Sequence, residues 1–174
     1  PIPGANVVDW PIQYQDLEPY YTKVEKILGV SGKVVPHPQQ EPRSTIDFPY
    51  PPLAENIAAK WIDDAADQLE FKVIPLPRAI LSQPDGSRNA CYYSGYCGSY
   101  GCSSDAKGSS RAALLNNALE SGNLTIIPNA KVYYLEEENK KIKAAWHYDI
   151  EGKQQKIEAR IFNVAAQAVE SSRL

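Results

Sequence analysis

Cys91, Cys97 and Cys102 fall within twelve residues in the run CYYSGYCGSYGC, and Gly95, Gly98 and Gly101 between them let the backbone curl tightly. Thiolates this close together lose little loop entropy on collecting a soft metal, so an iron–sulfur cluster is one chemistry the loop could support. One disulfide with a spare thiol, in an oxidising compartment, is the other. The five and four intervening residues match neither common ferredoxin run. A phosphate cradle is excluded, because neither G-x-G-x-x-G nor a Walker Lys-Ser/Thr occurs in the loop. Tyr92, Tyr93, Tyr96 and Tyr100, with Tyr50 further back, could stack on a ligand ring, but aromatic loop residues more often cover a core, and that reading is preferred.

Nothing else in the chain makes a catalyst. In the run Lys141 to Ile150 the alternation puts Ile142, Ala144, Trp146, Tyr148 and Ile150 on one face and His147 with Lys143 and Asp149 on the other, which predicts a solvated histidine. His37 sits between Pro36 and Pro38 with no fixed neighbour. Glu136, Glu137 and Glu138 beside Lys140 and Lys141 read as a hairpin tip facing water. The residues by themselves supply one thiol loop and no acid–base pair.

The elements that must carry this loop follow from periodicity. Asp16 to Leu28 repeats Leu17, Tyr20, Tyr21, Val24, Ile27 and Leu28 at helical spacing, with Asp16 as N-cap, Pro19 in the first turn and Gly29 as the stop. Ten of the 14 prolines lie in the first 52 residues, and Gly32 to Pro52 has no sustained period, so it reads as an extended, irregular connector. Ala54 to Phe71 is a half-buried helix with Ile57, Trp61, Ala65 and Leu69 on one stripe. Pro75 and Pro77 keep Lys72 to Leu81 at a sheet edge or off a sheet. Ser109 to Ser121 is a short helix. After it, Lys131 to Glu137, Lys141 to Ile150 and Lys156 to Val164 are β-rich, with apolar strands Leu124 to Ile127 and Ile161 to Val164 flanking a meander. Ala165 to Leu174 returns to helix.

At 174 residues, with 43% hydrophobic and 22% charged residues, the composition is that of a globular domain or two small ones, not of a disordered chain. No apolar run reaches the ~20 residues that cross a bilayer. Eighteen basic against 21 acidic residues, without a basic stripe, argue against nucleic acid as partner. There is no Met, position 1 included, and no apolar leader with a cleavage site, which reads as an excised or processed piece.

Four stretches, taken together, resemble the glucose-methanol-choline (GMC) oxidoreductases, FAD-dependent enzymes that oxidise alcohols and sugars. They are DWPIQYQDLEPYYTKVEKILGVSG (Asp9 to Gly32), the Arg88-Asn89-Ala90-Cys91 loop with GYCGSYGCSSDAKGSS to Ser110, SGNLTIIPNAKVYYL (Ser121 to Leu135) and ARIFNVAAQAVESSRL (Ala159 to Leu174). They stand in the family's order, cover nearly the whole chain, and look most like the bacterial branch of gluconate, sorbitol and glucose dehydrogenases.

The resemblance implies an α+β fragment from the middle of a longer enzyme: residues 1–107 as part of a substrate-side domain of helices and irregular loops, and 108–174 as strands and a three-stranded meander of an FAD-binding domain. The glycine-rich FAD turn would precede it, and the catalytic His with its His or Asn partner would follow, so the resemblance assigns no catalytic residue here. It implies that the backbone of Val132 pairs with the FAD adenine and that Ala165, Ala166, Gln167 and Ala168 correspond to an Ala-Ala-Gly-Ala turn approaching the cofactor. Gln167 replaces the glycine of that turn, which predicts crowding or a strained φ. Relatives with a similar cysteine loop carry an iron–sulfur cluster that passes electrons to a cytochrome, which would make Cys91, Cys97 and Cys102 ligands; Ser94 stands where such loops often have a further Cys. The substrate implied is an alcohol, sugar or sugar acid, and the compartment the periplasm. The rival readings are an iron–sulfur or electron-transfer module and a structural or interaction domain.

Overall fold

The computed structural model describes residues 4, 6–98 and 100–174 and divides after Asn123 into two compact units. The reason lies in the helix that follows Gly108. Gly108 donates its N–H to Ala79 O at 2.8 Å, and a Cβ on it would lie 2.5 Å from the Leu28 carbonyl oxygen, so this helix is drawn onto the first unit. It forms as a π-helical turn, Arg111–Leu115, running into α3, Asn116–Glu120; Ala112 and Ala113 are buried.

Helix α1 spans Tyr14–Leu28 and starts earlier than Asp16. Gln13 is its N-cap, and the Asp16 carboxylate at the third helical position accepts the Gln13 N–H at 2.9 Å, closing a capping box. The earlier start moves Pro19 out of the first turn, so this proline removes one interior hydrogen bond. Gly29 ends the helix at φ 76°, ψ 62°, its N–H bonded to Glu25 O at 2.9 Å. Helix α2 is Ile57–Gln68, capped by Asn56, whose Oδ1 accepts the Ala59 N–H at 2.9 Å. None of its residues is buried, and Ile57, Trp61 and Leu69 are exposed, so the stripe expected to be half-buried is uncovered.

The proline-rich connector holds no helix or strand, and charge fastens it to α1. Arg43 forks onto Glu25, with one of its two bonds at 2.8 Å, and reaches Glu41 at 3.2 Å and Thr45 at 3.1 Å while lying 4.0 Å over the Phe48 ring. Glu18 accepts the Ser44 N–H and hydroxyl, each at 2.9 Å, and these bonds hold its carboxyl below the usual carboxylate range. Four short segments then meet in a ladder of single bridges. Ser31 pairs with Tyr50 and Arg78, and Ile80 with Lys107. The Ser31 hydroxyl donates to Ile80 O at 2.6 Å and accepts the Ser82 N–H at 3.0 Å, and Leu81 and Ala106 are fully buried beside it.

The second unit is an antiparallel meander of β1 (Lys131–Glu138), β2 (Lys141–Tyr148) and β3 (Gln154–Glu158), followed by α4 (Gln167–Arg173). Asn139 and Lys140 at the first turn both take positive φ, 52° and 61°, as a tight two-residue hairpin requires. The third strand lies earlier than Lys156 to Val164. Asp149 shapes the second turn by accepting the N–H groups of Glu151 and Lys153, each at 2.9 Å, which returns the chain to the sheet by Gln154. The expected flanking strands, Leu124 to Ile127 and Ile161 to Val164, pair with no strand among the described residues, and Ile126, Ile127 and Ile161 are exposed. A parallel-sheet strand is completed only by its neighbours.

His147 is 5% exposed, not solvated, and neither ring nitrogen finds a hydrogen-bond partner among the described residues. It lies on the central strand between Val132 and Gln155, while Ala144 is fully buried on the opposite face. That opposite face, which reads as apolar, is roofed by charge: Trp146 Nε1 donates to Glu136 at 2.7 Å and Lys156 sits 3.2 Å from Glu136. Alternation misassigns the histidine because a middle strand can bury both faces.

Candidate functional site

The cysteine loop stands on a built base. Asn89 donates its N–H to Ser104 O at 3.1 Å, closing the loop. Leu81 grips both legs, accepting the Cys91 N–H at 2.8 Å and donating to Ala106 O at 2.9 Å. Beneath lies Arg88, 6% exposed, with Nε on Asp105 O at 3.0 Å and Nη2 on Leu28 O at 3.0 Å and Ala106 O at 3.2 Å. Leu28 is the last residue of α1, so the cation also meets the negative end of the helix. Lys107 reaches over to Gly98 O at 3.1 Å and Tyr100 O at 2.9 Å and draws the tip back.

All three cysteines line one cavity of about 170 Å³, together with Tyr92, Tyr93, Ser94 and Tyr96, and all three thiols are free. Among the described residues, however, no three His, Cys, Asp or Glu side chains converge as a metal-holding set. The iron–sulfur expectation for Cys91, Cys97 and Cys102 therefore has no geometric support: the thiols share a cavity without meeting at one point, and Ser94 leaves the loop without a fourth. The tyrosines do not cover a core either. Tyr96 and Tyr100 are exposed, Tyr93 Oη accepts the Ala54 N–H at 2.8 Å, and Tyr92 Oη bonds Ser103 Oγ at 2.7 Å.

Cys102 differs from the other two thiols. Burial pushes it up, but the Ser104 hydroxyl, 3.4 Å from Sγ, and the backbone N–H groups of Lys107, Ser104 and Ala106 outweigh burial and lower it to about 7. The N–H groups of the returning leg thus form a nest for a thiolate. Thiolate is lost as pH falls through this value, so alkylation of Cys102 by iodoacetamide should be half-maximal at about pH 7, against ~8.5 for an ordinary cysteine. Rate profiles from peptide mapping check this; a half-maximum at the ordinary value would refute the nest.

In the second unit, Val132 is the second residue of β1, paired with His147, and the register breaks just after it, leaving Tyr133 out of the pairing. Its carbonyl accepts Arg173 Nη2 at 3.4 Å, and Tyr133 O accepts Nη1 at 3.5 Å, so α4 is tied by its last turn to the strand carrying Val132. Ala165 and Ala166 lead into Gln167, which takes φ 70°. That is the left-handed region, and the turn keeps a glycine-type backbone although it carries a side chain. On this observation the residues present fit a closely approaching cofactor in backbone shape, with the Gln167 side chain as an addition to it.

Sequence reasoning missed Arg88, Ser104 and Lys107. For Arg88 and Lys107 the signal is that they are basic residues bracketing the thiol run, one before it and one after it.

No family model matches the chain. It is 30% identical over 169 residues to the 6'''-hydroxyparomomycin C oxidase of Streptomyces lividus, which covers 96% of this chain and 30% of the relative. It is 29% identical over 174 residues to the fructose dehydrogenase large subunit of Gluconobacter japonicus, 95% of this chain and 30% of the relative. To the gluconate 2-dehydrogenase flavoprotein of Pantoea cypripedii it is 26% identical over 128 residues, 64% of this chain and 21% of the relative. The chain thus spans less than a third of the length of these relatives, which are named as oxidases and dehydrogenases.

Proposed function

We propose that these residues form the central part of a flavin-dependent oxidoreductase of the GMC type that acts on CH–OH groups of sugars or related alcohols. The observation that carries this is similarity running the length of the chain, 95–96% of it, to a named oxidase and a named dehydrogenase. A further relative is named as a flavoprotein. The left-handed backbone at Gln167 is in keeping with the same reading, because φ 70° is a conformation that a glycine adopts without strain. So are the uncovered apolar stripe of α2 and the unpaired runs at Ile126 and Ile161, which are surfaces that further chain would complete.

In this assignment the main-chain N–H and C=O of Val132 recognise the adenine end of FAD, and the Ala165-Ala166-Gln167 turn lies against the cofactor. The Arg173 contact to the Val132 carbonyl, at 3.4 Å, is long enough to yield to a closer donor. When bound, the flavin supplies a two-electron acceptor for the substrate's C–H hydride. The chain's own residues bind and position; the base that takes the hydroxyl proton lies outside them. The protein expressed from the full reading frame should carry one FAD per chain, read by absorbance and by mass of the released cofactor. Release of no flavin from correctly folded protein would overturn the proposal.

A further inference from the structure

Arg88 is a buried cation that no carboxylate balances. It is 6% exposed and forms no ion pair among the described residues. A charge withdrawn from water is costly until a counter-charge or a full set of hydrogen bonds meets it. Nε and Nη2 are committed, to the carbonyls of Asp105 and Leu28 at 3.0 Å and of Ala106 at 3.2 Å. Nη1 donates to none of the described residues. It is not one of the buried polar atoms left without a partner either, which are Arg43 Nε and the two His147 ring nitrogens, so Nη1 borders open space.

The open space that Arg88 lines is a cavity of about 330 Å³ within the first unit, separate from the cavity of the cysteines. Helix α1 brings Lys26 to it from its last turn, and α3 brings Asn117. The turn Asp85-Gly86-Ser87-Arg88 forms a further part of the lining, fixed by the N–H groups of Asp85 and Arg88, each donating to the other's carbonyl at 3.0 Å. The Lys26 ammonium, the Ser87 hydroxyl and the Asn117 amide make no hydrogen bond among the described residues, so these donors are uncommitted. Ile27 and Leu114 add apolar surface, and Asp85 is the one acid in the lining. Two cations against one carboxylate leave a single net positive charge, which a monoanion cancels and a phosphate dianion exceeds.

We propose that this cavity is a binding site for a small organic carboxylate, held by Arg88 Nη1 and Lys26 Nζ through charge-assisted hydrogen bonds. Ser87 and Asn117 supply further donors, and a short apolar body lies against Ile27 and Leu114. Asp85 repels a second negative charge and so restricts the site to monoanions. Arg88 then serves two ends: Nε and Nη2 hold the base of the cysteine loop, while Nη1 meets the ligand. The site stands apart from the flavin assignment, since it uses neither the Val132 strand nor the Gln167 turn.

The test titrates protein from the full reading frame, by calorimetry at low ionic strength, with butyrate, with its neutral counterpart butyramide, and with inorganic phosphate. Butyrate should bind saturably, one per chain, and butyramide about tenfold or more weakly, because it brings no charge to the two cations. Phosphate should bind more weakly than butyrate, and Asp85→Asn should narrow that gap. Lys26→Glu and Asn117→Asp alter exposed side chains and put a carboxylate at the cavity, so each should weaken butyrate by about tenfold. Arg88 is left intact in both variants, so the fold of the loop base is not disturbed. Absence of saturable butyrate binding, equal binding of butyramide, preference of the wild type for phosphate, or unchanged butyrate affinity in either variant would overturn the proposal.

Discussion

Arg88→Ala is expected to lower the unfolding free energy of the first unit by about 4 kcal/mol, among the largest effects a single substitution produces. The guanidinium is 6% exposed and holds the carbonyls of Leu28, Asp105 and Ala106, three positions from two distant parts of the chain. A hydrogen bond involving a charged group contributes ~1.5–3 kcal/mol, and an acceptor left buried without a donor costs a further ~1–3 kcal/mol. The methylene stem is lost as well. Urea unfolding followed by circular dichroism measures the change. Arg88→Lys should recover only part of it, because an ammonium lacks the planar fork that serves three carbonyls at once. The loop should feel the same loss: with its base open, Cys102 should return toward ordinary thiol reactivity. A cost below ~1 kcal/mol, which is ordinary for a surface site, would show that Arg88 does not hold the base.

Gln167→Gly is expected to tighten FAD binding by the full-length protein by about tenfold, or ~1.4 kcal/mol. Gln167 sits at φ 70°, where a residue with a Cβ is disfavoured by ~1–2 kcal/mol and glycine is not. On the proposed placement of FAD against this turn, removing the side chain would let cofactor and backbone approach more closely, with the left-handed φ unchanged. Part of the strain relief is offset by the greater freedom of glycine in the unfolded chain, ~0.4–1 kcal/mol, so stability should rise by less than affinity. Gln167→Ala separates the causes: it removes the amide but keeps the Cβ, so it should recover affinity only as far as amide bulk was the obstacle. Fluorescence titration of apoprotein with FAD provides the constants. Weaker binding by the glycine variant would mean that the Gln167 amide itself holds the cofactor.

Much of the fold was readable where a regular period operates. The spacing of Leu17, Tyr20, Val24 and Ile27 gives α1, and the alternation around Ala144 and Trp146 gives the central strand of the meander. What escaped has no period. Arg43 meets Glu25 eighteen positions away and Glu18 meets Ser44 twenty-six away, so the ion pairs and bonds that pin the connector leave no local signature. Arg88 reads as an ordinary loop arginine until Leu28 and Ala106 are seen converging on it. His147 was misplaced because alternation reports which residues share a face, not which face is covered. The thiol loop was visible as a site from its residue types, but its chemistry depends on the Asn89–Ser104 closure and the N–H groups around Cys102, which are tertiary facts.

The placement of these residues in a flavin oxidoreductase is tested most directly by anaerobic titration of the full-length protein with a panel of sugars, sugar acids and simple alcohols, watching the flavin absorbance. At least one CH–OH compound should bleach the oxidised flavin band with one equivalent per chain, and the colour should return on admitting an electron acceptor. A folded protein with no flavin band, or a band that none of these compounds bleaches while dithionite does, would contradict it.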